Sequence, residues 1–126
     1  MFAVGPATRV FLCAGATDMR KGYDGLYGLV AGRLEQDPLS GHLFVFCNGS
    51  RNRIKVLFWD STGLWGGAKR LEKGRFWWPE AGSAVVVTLG HDRLGMLLAG
   101  IDLAAARNRR GWFRKVGGGA KKTSSA

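Results

Sequence analysis

Residues 43–70 read LFVFCNGSRNRIKVLFWDSTGLWGGAKR, three strand-forming runs separated by two turn signals, and this stretch decides the fold. Leu43 to Cys47 is apolar at every position, which is the composition of a strand buried on both faces. Asn48-Gly49 then supplies residues that tolerate the left-handed geometry of a tight turn. In the run from Arg53, Ile54, Val56 and Phe58 point one way while Lys55, Leu57 and Trp59 point the other, the alternation of a second strand. Asp60 to Gly63 has Asp first and Gly fourth, the pattern of a type I turn, so LWGGAKRLE (64–72) returns antiparallel. Gly66-Gly67 weakens that strand and marks either a bulge or a close backbone neighbour.

Working outward, RVFLCAG (9–15) reads as an earlier strand, and after Lys73-Gly74 the segment RFWW (75–78) reads as a short one stopped by Pro79. SAVVVTL (83–89) is the last strand. Between the first two strands, Tyr23, Leu26, Tyr27, Val30 and Leu34 recur on one face of a helix predicted over 22–36 and ended by Asp37-Pro38. Gly25, Gly28 and Gly32 fall on its opposite side, open either to a close neighbour or to solvent. Thr17 or Asp18 is a candidate cap for this helix. Leu94, Leu97, Leu98 and Ile101 mark a second helix over 90–101, with Thr88 as its candidate cap. The expected architecture is α+β, an antiparallel sheet of five or six strands with two packed helices. It forms a single domain over 1–106, followed by a basic, disordered tail over 107–126.

The longest apolar runs fall far short of the roughly 20 residues that cross a bilayer, and MFAVGPATRV lacks a basic stretch ahead of an apolar one. A cytoplasmic protein with no membrane partner is expected. Cys13 and Cys47 lie within strands without CxxC spacing, as buried free thiols do, so no metal or other cofactor is called for. The formal net charge is +10. Residues 1–106 carry twelve Lys or Arg against nine acids, whereas 107–126 carry seven cations and no acid, including Arg107, Arg109, Arg110, Arg114 and Lys115. Such a distribution suits a polyanion, because each phosphate neutralised releases counterions; it also suits a solubilising tail.

Candidate binding residues concentrate between positions 51 and 75: Arg51, Arg53, Lys55, Lys69, Arg70, Lys73 and Arg75, offset by Asp60 and Glu72. A meander would bring them to one surface, where phosphates are contacted without base specificity. Phe76 and Trp78 share a parity suited to the core, while Trp77 points the other way, toward solvent and a stacked base or under a covering helix. Arg20 and Lys21, beside Asp18 in a turn, are the other candidates, for a phosphate, for a partner's acid, or as solvated charges. The acids show no converging pattern for two-metal chemistry and no Ser, His, Asp grouping is recognisable, which makes a nuclease the weakest reading and a small-molecule substrate unsupported.

Read together, TDMRKGYDGL (17–26), SGHLFVF (40–46), IKVLFWD (54–60), AKRLEKGRFWWP (68–79) and LLAGID (97–102) resemble TnpB, the second open reading frame product of insertion sequences of the sixty-six family. Five blocks in order over residues 4–102 make the resemblance specific. It implies a non-catalytic accessory protein in DNA transposition, encoded beside a separate transposase, and carries no catalytic residue to any position here. Gly66, Gly67, Trp77 and the basic extension depart from the family pattern. Two roles are therefore expected to compete: binding of nucleic acid, DNA first, through the basic surface and tail, or docking onto the element's transposase with the charges serving solubility.

Overall fold

A computed structural model describes residues 7–101. The elements are β1 (Val10–Cys13), α1 (Tyr23–Gly28) continuing into a π-helical turn (Leu29–Arg33), β2 (Leu43–Cys47), β3 (Arg53–Trp59), β4 (Leu64–Arg70), β5 (Val86–Leu89), a 3-10 turn (His91–Arg93) and α2 (Leu94–Leu98). The five strands form one sheet in the order β4-β3-β2-β1-β5. The class is α+β, as expected; the tail and its Arg107, Arg109, Arg110, Arg114 and Lys115 lie outside the described residues.

The sheet is mixed rather than antiparallel, because β1 pairs with β2 in parallel, Val10 opposite Leu43 and Leu12 opposite Val45. Parallel neighbours need a crossover, and the helix-bearing segment between them supplies it. The two short connections after β2 and β3 hold their neighbours antiparallel, and β5 returns antiparallel to β1. The expected RFWW strand is absent from the sheet. Its backbone bonds elsewhere: the Phe76 amide donates to the Arg51 carbonyl (2.6 Å) in the turn that joins β2 and β3, and ahead of the segment the Leu71 amide donates to the Asn52 carbonyl (2.8 Å). Its alternation survives without the ladder, since Phe76 and Trp78 are buried and Trp77 is half-buried against the same core.

Two apolar clusters lie on the two faces of the sheet. Leu26, Val30 and Leu34 of the first helical segment cover Phe11, Phe44, Phe46 and Leu57. Leu94 and Leu97 of α2, with Phe76 and Trp78, cover Val10, Leu12, Val45, Ile54 and Val56. Leu26, Val30 and Leu34 step by four residues, and a regular helix would rotate Leu34 about 80° off the stripe over that span. The wider turn at 29–33 reduces this drift, and all three side chains are buried. Tyr23 and Tyr27, read as part of the same stripe, are exposed instead.

Local chemistry sets the ends of these elements. α1 starts at Gly22 with no side-chain cap, so neither Thr17 nor Asp18 performs that role. Thr88 lies within β5 and does not cap α2. At the other end of α2, Gly100 takes φ +82°, the Gly100 amide donates to the Leu97 carbonyl and the Ile101 amide to the Met96 carbonyl. This is the paired 5→2 and 6→1 bonding of a Schellman C-terminus, and glycine supplies the left-handed residue it requires. In the β2–β3 connection the left-handed residue is Arg51 (φ +60°), while the Asn48 carboxamide oxygen accepts the amides of Asn52 and Arg53 at 3.0 Å each. Asp60 closes the β3–β4 turn through its side chain, accepting the Thr62 and Gly63 amides at 2.9 Å, with Ser61 at φ +79°, outside type I geometry.

A cation-lined furrow on the edge of the sheet

The registers assign each strand cation to a face. Arg53 lies opposite Arg70 and Lys55 opposite Ala68, all on the α1 side. Lys69 lies opposite Ile54, whose side chain belongs to the α2-side core, and its ammonium group donates to the Leu98 carbonyl at 2.7 Å. Lys69 thus bonds a carbonyl in the last turn of α2, where a positive charge also complements the helix dipole.

The remaining candidates divide further. Arg51 pairs with Glu80 at 2.6 Å. Its carbonyl also receives the Phe76 amide, so the residue ties the 75–79 segment to the turn. Arg75 reaches back to the Ser50 carbonyl at 3.4 Å, and Lys73 is exposed in the turn after β4. Arg20 is closed on Asp18 by its backbone amide (2.9 Å) and by a two-pronged guanidinium contact whose shortest arm is 2.7 Å. The Arg20 side-chain hydrogen bonds, with its amide next, hold the Asp18 carboxyl well below its ordinary range. Trp77 packs on the α2-side core, away from the strand cations of the α1 face.

What the fold does bring together is Arg53, Lys55 and Arg70, with Lys21 nearby. Arg53, Lys55, Lys69 and Arg70 line a furrow of about 500 Å³, together with Met19, Ile54 and Ala68. A second hollow of about 230 Å³ shares Lys55 and Ala68 with the first and continues to Lys21, Tyr23 and Gly66. Lys55 joins the two sides, its ammonium group donating to the Lys21 carbonyl at 2.9 Å. No Asp or Glu is among the residues lining either hollow.

The furrow exists because β4 carries small residues on its α1 face. Ala68 leaves the floor low, and at Gly66 an added Cβ would stand 2.7 Å from Cε1 of Tyr23. Gly66 is therefore the close-neighbour glycine that the sequence suggested, and the neighbour is an aromatic ring from α1. Tyr23, 53% exposed, was not among the binding residues the sequence singled out. Its signal would have been a tyrosine at the start of a helix matched to a glycine on a distant strand, a pairing visible only once the strand order is known.

Among the described residues no group of three or more His, Cys, Asp and Glu could hold a metal ion, and no helix is long and apolar enough to cross a membrane. Cys13 and Cys47 are buried and unpaired with each other, and burial pushes the Cys47 thiol up to about 11.

This geometry defines a small α+β protein with an electropositive furrow at one edge of its sheet. The chain belongs to the IS66 Orf2-like protein family, whose model matches residues 8–108. It is 41% identical over 103 residues to the uncharacterized protein y4hO of Sinorhizobium fredii, covering 81% of this chain and 88% of the relative. It is 29% identical over 108 residues to y4jC of the same organism, covering 84% and 92%. No solved structure matches the chain. Membership of this family makes the chain an accessory protein associated with transposition.

Proposed function

We propose that this accessory protein binds nucleic acid, DNA in the first instance, through the furrow cations Arg53, Lys55 and Arg70. Lys21, Lys73, Arg75 and the basic extension add longer-range attraction, whereas Arg20 contributes only by exchanging Asp18 for a phosphate. The observation that carries the reading is the Arg53–Arg70 cross-strand pair. Like charges directly opposite on neighbouring strands are destabilising. Both residues are exposed, and the acid nearest in contact is Glu72, 3.5 Å from Arg70 and itself largely in solvent. A phosphate placed between the two guanidinium groups would be held by both, and the repulsion would become attraction. Contacts of this kind follow the backbone and carry no sequence information.

The experiment is a titration of labelled DNA with the full chain over a salt series, repeated with Arg53→Ser and Arg70→Ser. Each contact to a phosphate contributes close to one unit to the slope of log affinity against log salt, so each variant should flatten the slope by about one. Slopes unchanged in both variants would remove the furrow from the binding surface. A second reading, docking onto the transposase, draws on the position of β4, which among the described residues is an edge strand with one side unpaired and carries Trp65 about half exposed. DNA that fails to bind at any salt, together with co-purification of the transposase, selects that reading.

A further inference from the structure

We infer that the furrow accepts a single strand, with an unpaired base stacked on Tyr23; this rests on the nucleic-acid reading and specifies its ligand. Three observations lead there. The two hollows lie side by side and share Lys55 and Ala68 in their lining, which places Lys21 on the same side of the sheet as the Arg53–Arg70 pair. Gly66 and Arg70 are four residues apart on β4, about 13 Å along an extended strand, which sets the distance between the aromatic and the paired guanidinium groups. The passage is a recess, walled by the start of α1 and floored by Ala68 and Gly66. A flexible strand can turn its bases toward Tyr23 while its phosphates follow the cations, whereas the paired bases of a duplex are not free to stack on an outside ring.

Tyr23 is placed for the role. Its ring lies against the Gly66 backbone, where any side chain would displace it, and still leaves 53% of the residue accessible. It belongs to neither apolar core cluster of the described residues. A half-exposed tyrosine is ordinary on a protein surface. A tyrosine seated on a glycine at the mouth of a furrow lined by cations and no acid has the two components of sequence-tolerant single-strand binding, a basic track for the backbone and an aromatic platform for the bases.

The test uses the full chain with fluorescent oligo(dT) and a duplex of equal length, measured by anisotropy over a salt series, with Tyr23→Ala and Tyr23→Phe. The charged extension acts on both ligands, so the ratio of the two affinities is the readout. Oligo(dT) should bind at least about tenfold more tightly than the duplex. Loss of one stacked base, ~1 to 3 kcal/mol, corresponds to a weakening of about 5- to 150-fold in Tyr23→Ala. The salt slope should stay unchanged because the ring carries no charge, and Tyr23→Phe should bind within about twofold of the parent. Melting curves establish that both variants are folded. Equal affinity for duplex, or a folded Tyr23→Ala variant with undiminished oligo(dT) binding, overturns this inference while leaving the nucleic-acid reading in place. Failure of both ligands to bind overturns the two together, and capture of polyglutamate in the same assay would then assign the furrow to an acidic protein segment.

Discussion

Trp78 provides the sharpest test of how the 71–85 connection is held. Its indole N–H donates to the carbonyls of Cys13 (3.0 Å) and Gly15 (3.1 Å) at the end of β1, and the ring is buried in the α2-side core. Trp78→Phe keeps an aromatic ring but removes the donor and part of the volume. A lost hydrogen bond that strands buried acceptors costs about 1 to 3 kcal/mol, and the smaller ring adds a cavity contribution of about 1 kcal/mol. The expected loss is about 2 to 4 kcal/mol, a large share of the ~5 to 15 kcal/mol that stabilises an ordinary domain. At roughly 4 to 8 °C per kcal/mol, the melting temperature should fall by about 8 to 32 °C. Trp77→Phe is the internal control: its ring is half-buried against the same cluster, and the change should cost less than about 1 kcal/mol. Urea and thermal unfolding followed by far-UV circular dichroism measure both. Equal losses for the two variants, or a Trp78→Phe protein that melts within about 2 °C of the parent, would refute the tether between the connection and β1.

Three further outcomes follow from particular bonds. The Asp60 carboxyl is lowered to about 2, first by the Thr62 amide, then by the Trp65 indole, the Thr62 hydroxyl and the Gly63 amide. Its folded value lies below its ordinary one, so its stabilisation is present above about pH 4 and is lost as pH falls through about 2; the gap in melting temperature between the parent and Asp60→Asn should close over that window. Lys69→Met removes the bond to the Leu98 carbonyl and should cost about 0.5 to 1 kcal/mol in urea titrations, while Arg70→Met, next along β4, should cost little or stabilise by relieving its repulsion with Arg53. Burial raises the Cys47 thiol to about 11, and Cys13 and Cys47 are both at most 2% exposed, so Ellman's reagent at pH 8 should label the native protein only as fast as it opens; rapid labelling of both thiols would contradict the packing.

The hairpin strands were legible because their information is local: a period of two in RIKVLFW, uniform apolarity in LFVFC, and turn residues at 48–49 and 60–63. The direction of β1 against β2 was not, since it depends on the long crossover rather than on either strand's own pattern. RFWW shows the same limit from the other side. Its alternation correctly assigned Phe76 and Trp78 to the core, but membership of a ladder is decided by where the amides find acceptors, and the Arg51 carbonyl in the β2–β3 turn takes that of Phe76. For the site, charge and parity were both present in the sequence. Lys69 and Arg70 have opposite parity, which sends Lys69 to the end of α2 and leaves Arg70 facing Arg53. Tyr23 falls on the apolar stripe by periodicity, which gives a helix face but not which strand lies opposite, and its ring meets Gly66 of β4 rather than a core cluster.

The basic edge also admits a purely structural explanation, and the strand order separates it from function. β4 is an outer strand, and charged side chains on an outer strand discourage edge-to-edge pairing between copies. That account covers Lys69 and Arg70. It does not cover Arg53 and Lys55, which sit on β3, flanked by β2 and β4 and so with no free edge to protect. Edge protection would also be served by alternating signs, because an Asp or Glu opposite Arg70 would keep the edge charged and turn a repulsive cross-strand pair into an attractive one. Position 53 instead carries a second arginine, and the neighbouring furrow is lined with no acid. On the proposed nucleic-acid reading, repulsion retained on an interior strand, where an acid would stabilise the sheet and preserve solubility, is compensated by negative charge that arrives with the ligand.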